Sequence, residues 1–416
     1  MPLAAYFRFI ADNRRFVAFG FTMGFASSFG QTFFIGLFGP ALRSEFGLSH
    51  TSWGFIYLIG TLASALLLPF TGRKIDQMDL RLYTTLVCAL MIFAGLFTAL
   101  VNGPLMLIAA IFLLRQSGQG LMSHTAMSSM ARYFEEGRGR ALAIATMGFS
   151  CGEALLPVGA VFLIALVGWR WSYVACAILV AVVLIPLVRW LLAGHDERHR
   201  QHLQRLTRQA GDHQAVIQSW TQAQVLRDSR FYLLLPGLLA PPMIGTAMFF
   251  HHLTVADFKG WSHTWITGNY AVYALVAITI ALLSGPLIDR FRAVRMVYGV
   301  IPPLILAMLA LAAFQTHWIV PVYLALIGVN TGLSYTVMTS LWAEIYGVAY
   351  IGSVKSMVAA IGVLGSALGP VIMGRLMDEG FSVESICVIA AAYALIGWIL
   401  MAVALRPAAH RSHPPV

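Results

Sequence analysis

Charged residues are scarce in this sequence. Its 416 residues include 27 Lys and Arg and 17 Asp and Glu, so that only 11% are charged while 59% are hydrophobic. A soluble domain has roughly 25% charged residues, which cover its surface. The shortage excludes a soluble multidomain enzyme and a disordered chain, and it indicates an integral membrane protein. Basic loops of such proteins explain the net charge of +10, and we expect no nucleic-acid partner.

Cysteines and cofactor-binding motifs are scarce as well. The four cysteines, Cys88, Cys151, Cys176 and Cys387, each lie in a long apolar run, which excludes a disulfide scaffold and is typical of small packing residues. The sequence contains no nucleotide-binding loop of the form Gly-x-x-x-x-Gly-Lys-Ser/Thr. Its apolar segments contain no metal-ligand set and no nucleophile–base pair. We therefore predict no ATP drive, no cofactor, no metal and no enzymatic activity.

Long apolar runs make up most of the chain. A bilayer core about 30 Å thick needs about 20 apolar helical residues per crossing. The first run follows Arg8, Arg14 and Arg15 and is about 25 residues long, which exceeds the apolar region of a signal peptide. We expect it to be the first membrane span. Twelve spans are predicted, at 16–40, 52–71, 82–102, 105–130, 140–167, 171–191, 231–254, 263–287, 294–314, 318–342, 354–377 and 385–405.

The distribution of Lys and Arg predicts the orientation. Alternate connections hold 22 of the 27 on one side of the membrane and 4 on the other, and Arg115 lies inside a span. Because cytoplasmic loops are enriched in Lys and Arg, both termini of this multi-pass protein are predicted to be cytoplasmic, in the cell (inner) membrane.

One long connection divides the chain into an N-terminal six-helix bundle (1–191), a cytoplasmic linker (192–230) and a C-terminal six-helix bundle (231–416). The linker holds four histidines without an accompanying acidic or Cys ligand set. A solvated segment with a surface helix therefore explains it better than a metal site.

Two patterns recur at nearly one offset. Gly72-x-x-x-Asp76 returns as Gly285-x-x-x-Asp289, 213 residues later. A Gly-x-x-x-Gly in span five, beginning at Gly148, returns in span eleven 217 residues later. Each pattern is common by itself, but together they indicate an internal duplication.

These motifs resemble those of the major facilitator superfamily, whose two six-helix bundles move about a central cavity. The family's loop signature, Gly-x-x-x-Asp-Arg-x-Gly-Arg-Arg/Lys, is matched at Gly285, Asp289 and Arg290 without its later Gly. In the first half it is degenerate, because Gln77 and Asp79 replace the Arg and the Gly. The resemblance implies an all-α membrane protein of twelve transmembrane helices in two pseudo-symmetric bundles. Arg115-x-x-Gly118-Gln119-Gly120 also resembles the family's second motif.

The loop carboxylates are candidate gating groups. Asp76 near Arg81, and Asp289 near Arg290, are predicted at the cytoplasmic ends of helices. Such carboxylates can cap a helix N-terminus or pair with an Arg of the opposite bundle, and break these contacts when the inside opens. The alternative is that they are solvated loop charges. Gly72 and Gly285 complete the candidate gating motif.

Two charges are predicted near mid-membrane. Arg115 in span four and Glu153 in span five lie about ten and thirteen residues from the nearer span end, at about 1.5 Å per residue. An unpaired charge there costs at least about 2.5–3.5 kcal/mol, so each must face a cavity or a partner. The two residues either serve substrate binding and coupling or form a permanent structural pair.

Polar side chains at helical spacing complete the candidate site. Spans one and seven are both interrupted by Gly and Pro, and paired broken helices indicate a transporter's binding site. The alternative is routine hydrogen bonding between helices. The candidates besides Arg115 and Glu153 are Ser28, Gln31, Gln119, His251, Asn269, Tyr270, Asn330, Ser334 and Tyr335.

The predicted function is secondary active transport by alternating access. The substrate is expected to be a small polar solute, with an organic anion such as a carboxylate favoured, moved by proton coupling or by exchange. A drug or metabolite exporter is the alternative, although Glu153 stands where exporters of the family often have Pro. A membrane sensor or membrane enzyme is disfavoured. Expected partners are the substrate, the lipid bilayer and H+, with a functional monomer.

Overall fold

The computed structural model describes residues 3–134, 137–200, 220–347 and 351–405, and every regular element in those ranges is a helix. Nine of the helical segments described there are long and apolar enough to cross a membrane. One of them, Arg138–Leu191, contains two predicted spans. A shorter apolar helix, Ile319–Ser334, covers predicted span ten. The prediction of an all-α membrane protein is confirmed.

The chain forms two compact units, which we describe separately. The first comprises Met1–Phe46 and Ile59–Gln214. Within it α1 packs on α7 and α8, and α5 packs on α6 and α8. Its helices are α1 (Leu3–Ala26), α2 (Thr32–Gly36), α3 (Gly39–Phe46), α4 (His50–Gly72, from residue 59 onward), α5 (Leu80–Ala99), α6 (Pro104–Leu114), α7 (Ser123–Tyr133), α8 (Arg138–Leu179) and α9 (Ile185–Leu191).

Local sequence explains where several of these helices begin and end. Asp79 caps α5 by accepting hydrogen bonds from the backbone N–H groups of Arg81 (2.9 Å) and Leu82 (3.2 Å). Pro104 opens α6, where its missing N–H costs nothing. Gly168 has φ 78° and ψ 168° and breaks α8 between predicted spans five and six. This left-handed φ favours glycine, which carries no Cβ.

The second unit comprises Gly47–Leu58 and Ala215–Val416. Within it α14 packs on α17, α11 packs on α18 and α19, and α16 packs on α17 and α19. Its helices are α10 (Gln222–Val225), α11 (Ser229–Phe250), α12 (His252–Lys259), α13 (His263–Gly268), α14 (Tyr270–Phe291), α15 (Ala293–Met296), α16 (Pro302–Ala313), α17 (Ile319–Tyr346), α18 (Ile351–Asp378) and α19 (Val383–Ala404).

The first turns of α4 belong to this second unit. Asp378 at the end of α18 accepts hydrogen bonds from the backbone N–H groups of His50 (3.0 Å) and Thr51 (2.7 Å), which caps the α4 N-terminus with a carboxylate. Trp53 stacks on Phe250 with ring centroids 5.0 Å apart. The predicted division at 1–191, 192–230 and 231–416 stays a prediction, and residues 201–219 of the predicted linker lie outside the described residues.

Candidate functional site

The first predicted span is interrupted. After α1, Ser27–Gly30 form a 3₁₀ turn, and Gln31 is extended (φ −81°, ψ 156°) before α2 begins. The interruption lies where Gly30 meets Gly118 of the fourth predicted span. A Cβ at Gly118 would lie 2.6 Å from the Gly30 Cα, and a Cβ at Gly30 would overlap the Leu114 carbonyl oxygen. Only glycine allows the two backbones to approach this closely.

The fourth span is irregular at the same level. Residues Arg115–Met122 form a π-helix between α6 and α7. Such segments are rare and occur frequently at functional sites. Gln116 within it is fixed in place, accepting a hydrogen bond from Ser64 Oγ (2.9 Å) and donating one to Thr71 Oγ1 (2.8 Å). The two irregular segments pack against each other.

Arg115 joins the two irregular segments. Its side chain is buried, with 3% of the residue exposed. Its Nη1 lies 3.3 Å from the Gly30 carbonyl oxygen and 3.2 Å from Thr32 Oγ1. The broken helix therefore presents oxygen acceptors to a guanidinium. Both of these acceptors are neutral oxygens.

The remaining predicted residues of the first unit surround this junction. Ser28 is fully buried, and its Oγ has no hydrogen-bond partner among the described residues. A Cβ at Gly152 would collide with that hydroxyl, so α8 contacts Ser28 one residue before the half-buried Glu153. Gln31 Nε2 lies 3.5 Å from the Ser123 hydroxyl, at the limit of a hydrogen bond. The predicted pairing of Arg115 with Glu153 stays a prediction.

Gln119 also lies in the π-helix. Its side-chain oxygen is buried and has no hydrogen-bond partner within the part of the chain that the structure describes. The Ser28 hydroxyl and the Gln119 side-chain oxygen are therefore two buried polar atoms near Arg115 to which the described residues provide no hydrogen bond. An unsatisfied buried polar atom costs about 1–3 kcal/mol, so each one requires an explanation. A bound solute or water is such an explanation.

In the second unit the predicted residues bind backbone groups. Asn330 Nδ2 donates to the Val300 carbonyl (2.7 Å), and Ser334 Oγ donates to the Asn330 carbonyl (2.7 Å). Asn269 Nδ2 donates to the Trp265 carbonyl (2.8 Å). These bonds tie helices together or stay within one helix, which agrees with the alternative considered for polar stripes. The Tyr335 side chain lies outside the described residues.

The histidines at the end of α11 form a second buried polar group. His251 interrupts the helix (φ −98°, ψ 14°), and its Nε2 lies 2.9 Å from the Pro370 carbonyl oxygen. His252 is buried, and its Nδ1 lies 2.6 Å from the Tyr270 hydroxyl. Its Nε2 is buried without a hydrogen-bond partner among the described residues. His251 was predicted from the sequence and His252 was not, although the two histidines are adjacent in the chain.

The charged residues of the first gating motif form two ion pairs. Asp76 pairs with Arg132 (Nη1–Oδ1 3.0 Å) and not with Arg81. Arg81 pairs with Asp196 (2.5 Å), and this hydrogen bond lowers the pKa of the exposed Asp196 carboxyl. Both pairs lie within the first unit.

Both motif glycines lie in helices. Gly72 ends α4 beside the His124 ring, and Gly285 lies within α14. Arg290 is exposed and lies over the Phe291 ring at 5.3 Å. The Asp289 side chain lies outside the described residues, so its predicted gating role stays a prediction.

Among the described residues no group of three or more His, Cys, Asp or Glu is placed to hold a metal.

Comparison with known proteins adds a family. The family model of the Major Facilitator Superfamily matches residues 20–316 and 269–416. The fosmidomycin resistance protein of Escherichia coli (strain K12) is 33% identical over 167 residues. That match covers 38% of this chain and 39% of the relative, so the two are alike over less than half of their lengths.

Solved structures show the same fold. The nucleoside transporter NupG superposes with a TM-score of 0.71 at 12% identity, covering 95% of this chain and 99% of that one. A bacterial homolog of the human lysosomal transporter Spinster, in an inward-facing and occupied conformation, gives 0.67 at 14% identity, covering 96% and 97%. At these identities the likeness concerns the fold alone.

Proposed function

The chain belongs to the Major Facilitator Superfamily of transporters, and we propose that it is a secondary transporter that recognises a small organic anion through Arg115. The main support for this proposal is the position of Arg115, which is buried where the first predicted span is broken and the fourth is π-helical. A guanidinium binds a carboxylate through two parallel hydrogen bonds. A cavity or cleft that holds a fixed cation attracts a small anion.

Glu153 is the proposed coupling group. It follows Gly152, which contacts Ser28 beside the broken helix, and it is half-buried. A carboxylate there can hold or release a proton as an anion enters or leaves near Arg115. This would link substrate occupancy to proton movement and so support proton coupling or exchange.

Export is a second candidate for the direction of transport. The likeness over 167 residues to a protein named for fosmidomycin resistance favours it. Glu153 stands where exporters of the family often have Pro, which disfavours it. Uptake by right-side-out vesicles, compared with uptake by inside-out vesicles, distinguishes the two directions.

The recognition of an anion is tested with Arg115→Lys in reconstituted vesicles, using a panel of small carboxylates, amines and sugars. We expect the wild type to bind and move a carboxylate, and Arg115→Lys to lose at least about tenfold in apparent affinity, because an ammonium cannot reproduce the two-pronged bond. Arg170→Lys is the matched control. Arg170 pairs with Glu45 away from the site, so transport should stay near wild type.

A double substitution separates recognition from a structural pair. If Arg115 only neutralises Glu153, then Arg115→Gln with Glu153→Gln should restore transport by removing both charges. We expect no restoration, and restored transport at normal surface expression would contradict the proposal. Glu153→Gln alone should abolish proton-driven accumulation and leave exchange partly intact. Undiminished uphill transport would remove Glu153 from the mechanism.

A further inference from the structure

A cavity lies in the first unit, lined by residues far along the chain from Arg115. Its volume is about 510 Å³, and it is formed by the N-terminal part of α1 and the residues that follow α9. The α1 helix is kinked at Asn13 (φ −117°, ψ 17°). Arg14 and Arg15 follow the kink directly and line the cavity, as does Arg198 from the other side. The charge distribution predicts that this end of the unit is cytoplasmic.

The cavity is basic on balance. The carboxylates that line it are Asp12 and Glu197. Glu197 pairs with Arg200 (2.9 Å), so its charge is already compensated within its own helix turn. Apart from that pair, the charged residues that line the cavity are three arginines and one carboxylate, Asp12. A cavity with this balance attracts an anion.

His195 supplies hydrogen-bonding capacity at the wall of the cavity. It is 3% exposed, and neither ring nitrogen has a hydrogen-bond partner among the described residues. Its ring stacks on Phe16 with centroids 5.6 Å apart, and the Arg198 guanidinium also lies over the Phe16 ring, 4.2 Å from its centroid. Burial, with the neighbouring Arg198 charge, lowers the pKa of His195 to about 4, so the imidazole is neutral at physiological pH. It then offers one donor and one acceptor.

The cavity adjoins a surface suited to lipid. Arg15 lies over the Trp190 ring at 5.2 Å. Trp190 is 57% exposed, and Leu187 and Val183 precede it at intervals of three and four residues with 37% and 50% exposed. These side chains form one apolar stripe that runs from the cavity along the sixth predicted span. Tryptophan beside arginine at a span end is typical of the membrane interface.

From these observations we propose that the cavity binds the phosphate headgroup of an anionic phospholipid. Arg14, Arg15 and Arg198 would receive the phosphate, and His195 would donate a hydrogen bond to it. The acyl chains would lie along the apolar stripe. Basic pockets at the cytoplasmic ends of transmembrane helices are suited to such headgroups. The site is separate from the proposed anion transport site.

The test uses the full-length protein, purified in detergent and depleted of lipid. Melting temperature is measured during titration with phosphatidylglycerol, and with phosphatidylcholine of the same acyl chains. A ligand that binds only the folded protein raises the melting temperature. We expect stabilisation by phosphatidylglycerol, and a loss of about tenfold or more in its apparent affinity in the double variant Arg14→Gln, Arg15→Gln. The matched control, Arg73→Gln with Lys74→Gln, removes two exposed charges elsewhere and should keep the wild-type affinity.

Two further arms keep the test decisive. His195→Phe retains a ring against Phe16 and removes both nitrogens, so it should weaken phosphatidylglycerol binding while the lipid-free protein remains at least as stable. Glycerol phosphate tests for a soluble source: stabilisation by the lipid alone supports the membrane ligand, and equal stabilisation by glycerol phosphate overturns it in favour of a soluble phosphate at the same residues. Equal binding of phosphatidylglycerol by the wild type and by the Arg14, Arg15 double variant overturns the site altogether.

Discussion

The interrupted helices of the two units differ in chemistry. In the first unit the break at Gly30 and Gln31 presents a carbonyl oxygen to the Arg115 guanidinium, at 3.3 Å. In the second unit the break at His251 presents imidazoles to neutral oxygens, with His251 2.9 Å from the Pro370 carbonyl and His252 2.6 Å from the Tyr270 hydroxyl. Each unit therefore contains a broken helix, and among the described residues the Arg115 guanidinium lies at the break of the first unit. We infer that charge recognition and neutral hydrogen bonding are divided between the halves.

The largest effects should come from glycines that allow helices to touch. A Cβ at Gly30 would overlap the Leu114 carbonyl, and a Cβ at Gly369 of α18 would overlap the Met243 carbonyl of α11. We expect Gly30→Ala and Gly369→Ala each to destabilise the protein by at least about 1–3 kcal/mol, because the backbones must separate. Gly30→Ala should also lose transport, since Arg115 loses its carbonyl acceptor.

Controls for the glycine prediction exist in both units. At Gly159 of α8 and Gly362 of α18 no atom lies within 4 Å of an added Cβ. Their alanine variants should melt with the wild type or slightly above it, because alanine has the higher helix propensity. Melting temperature in detergent is the measurement. A Gly30→Ala protein as stable and active as the wild type would show that the break does not depend on this crossing.

We expect an intermediate loss of stability when an ion pair is broken, and the loss should differ between the two units. Lys259 pairs with Glu384 (2.6 Å), and only 1% of the Lys259 side chain is exposed. Arg170 pairs with Glu45, and their side chains are 38% and 40% exposed. We expect Glu384→Gln to cost about 2–3 kcal/mol, below the cost of breaking a fully buried pair because the Leu311 carbonyl still accepts from Lys259.

Glu45→Gln should cost below about 1 kcal/mol, as exposed pairs do. Unfolding of the two variants in denaturant, compared with the wild type, measures the difference. Equal losses in the two variants would mean that burial of the cation does not determine the strength of these pairs.

The smallest expected effect is a pH dependence in the first unit. Hydrogen bonds from Arg170 and Trp169 lower the pKa of Glu45 below its ordinary value of 4.5. The pair therefore contributes stability above pH 4.5, which is lost as the pH falls through the lowered pKa of the folded state. Between pH 6 and pH 3.5 the wild type should lose up to about 1 kcal/mol more than Glu45→Gln. The measurement is the melting temperature of both proteins as a function of pH. The same pH dependence in the wild type and in Glu45→Gln would contradict a lowered pKa of Glu45.

The charged residue of the candidate site was predictable from sequence, whereas its surroundings were not. Arg115 is the only Lys or Arg that lies far from both ends of a predicted span. Its neighbour Gly30 lies 85 residues earlier, and the contact arises only where Gly30 and Gly118 cross. The π-helix at Arg115–Met122 could not be predicted from hydropathy. It differs from an α-helix in which backbone groups are hydrogen-bonded, and hydropathy does not report this difference.

The pairing partners of the charged and histidine side chains were also not predictable from the sequence. Asp76 is five residues from Arg81 in the chain, yet it pairs with Arg132, and Arg81 pairs with Asp196. His251 and His252 are adjacent, and the break at His251 decides that each imidazole meets a different helix. Spacing along the chain predicts neighbours on one helix face, but these partners belong to other helices.

Composition and hydropathy were sufficient to predict that the chain crosses a membrane many times and that a cation, Arg115, lies within an apolar run. Partition into lipid is a sum over single residues in a short segment, so composition is sufficient. Tertiary structure alone decided which oxygens surround Arg115 and which polar atoms near it remain available. Hydrogen bonds form within a few tenths of an ångström, and that precision comes from helix crossings whose contacting glycines are far apart in the chain.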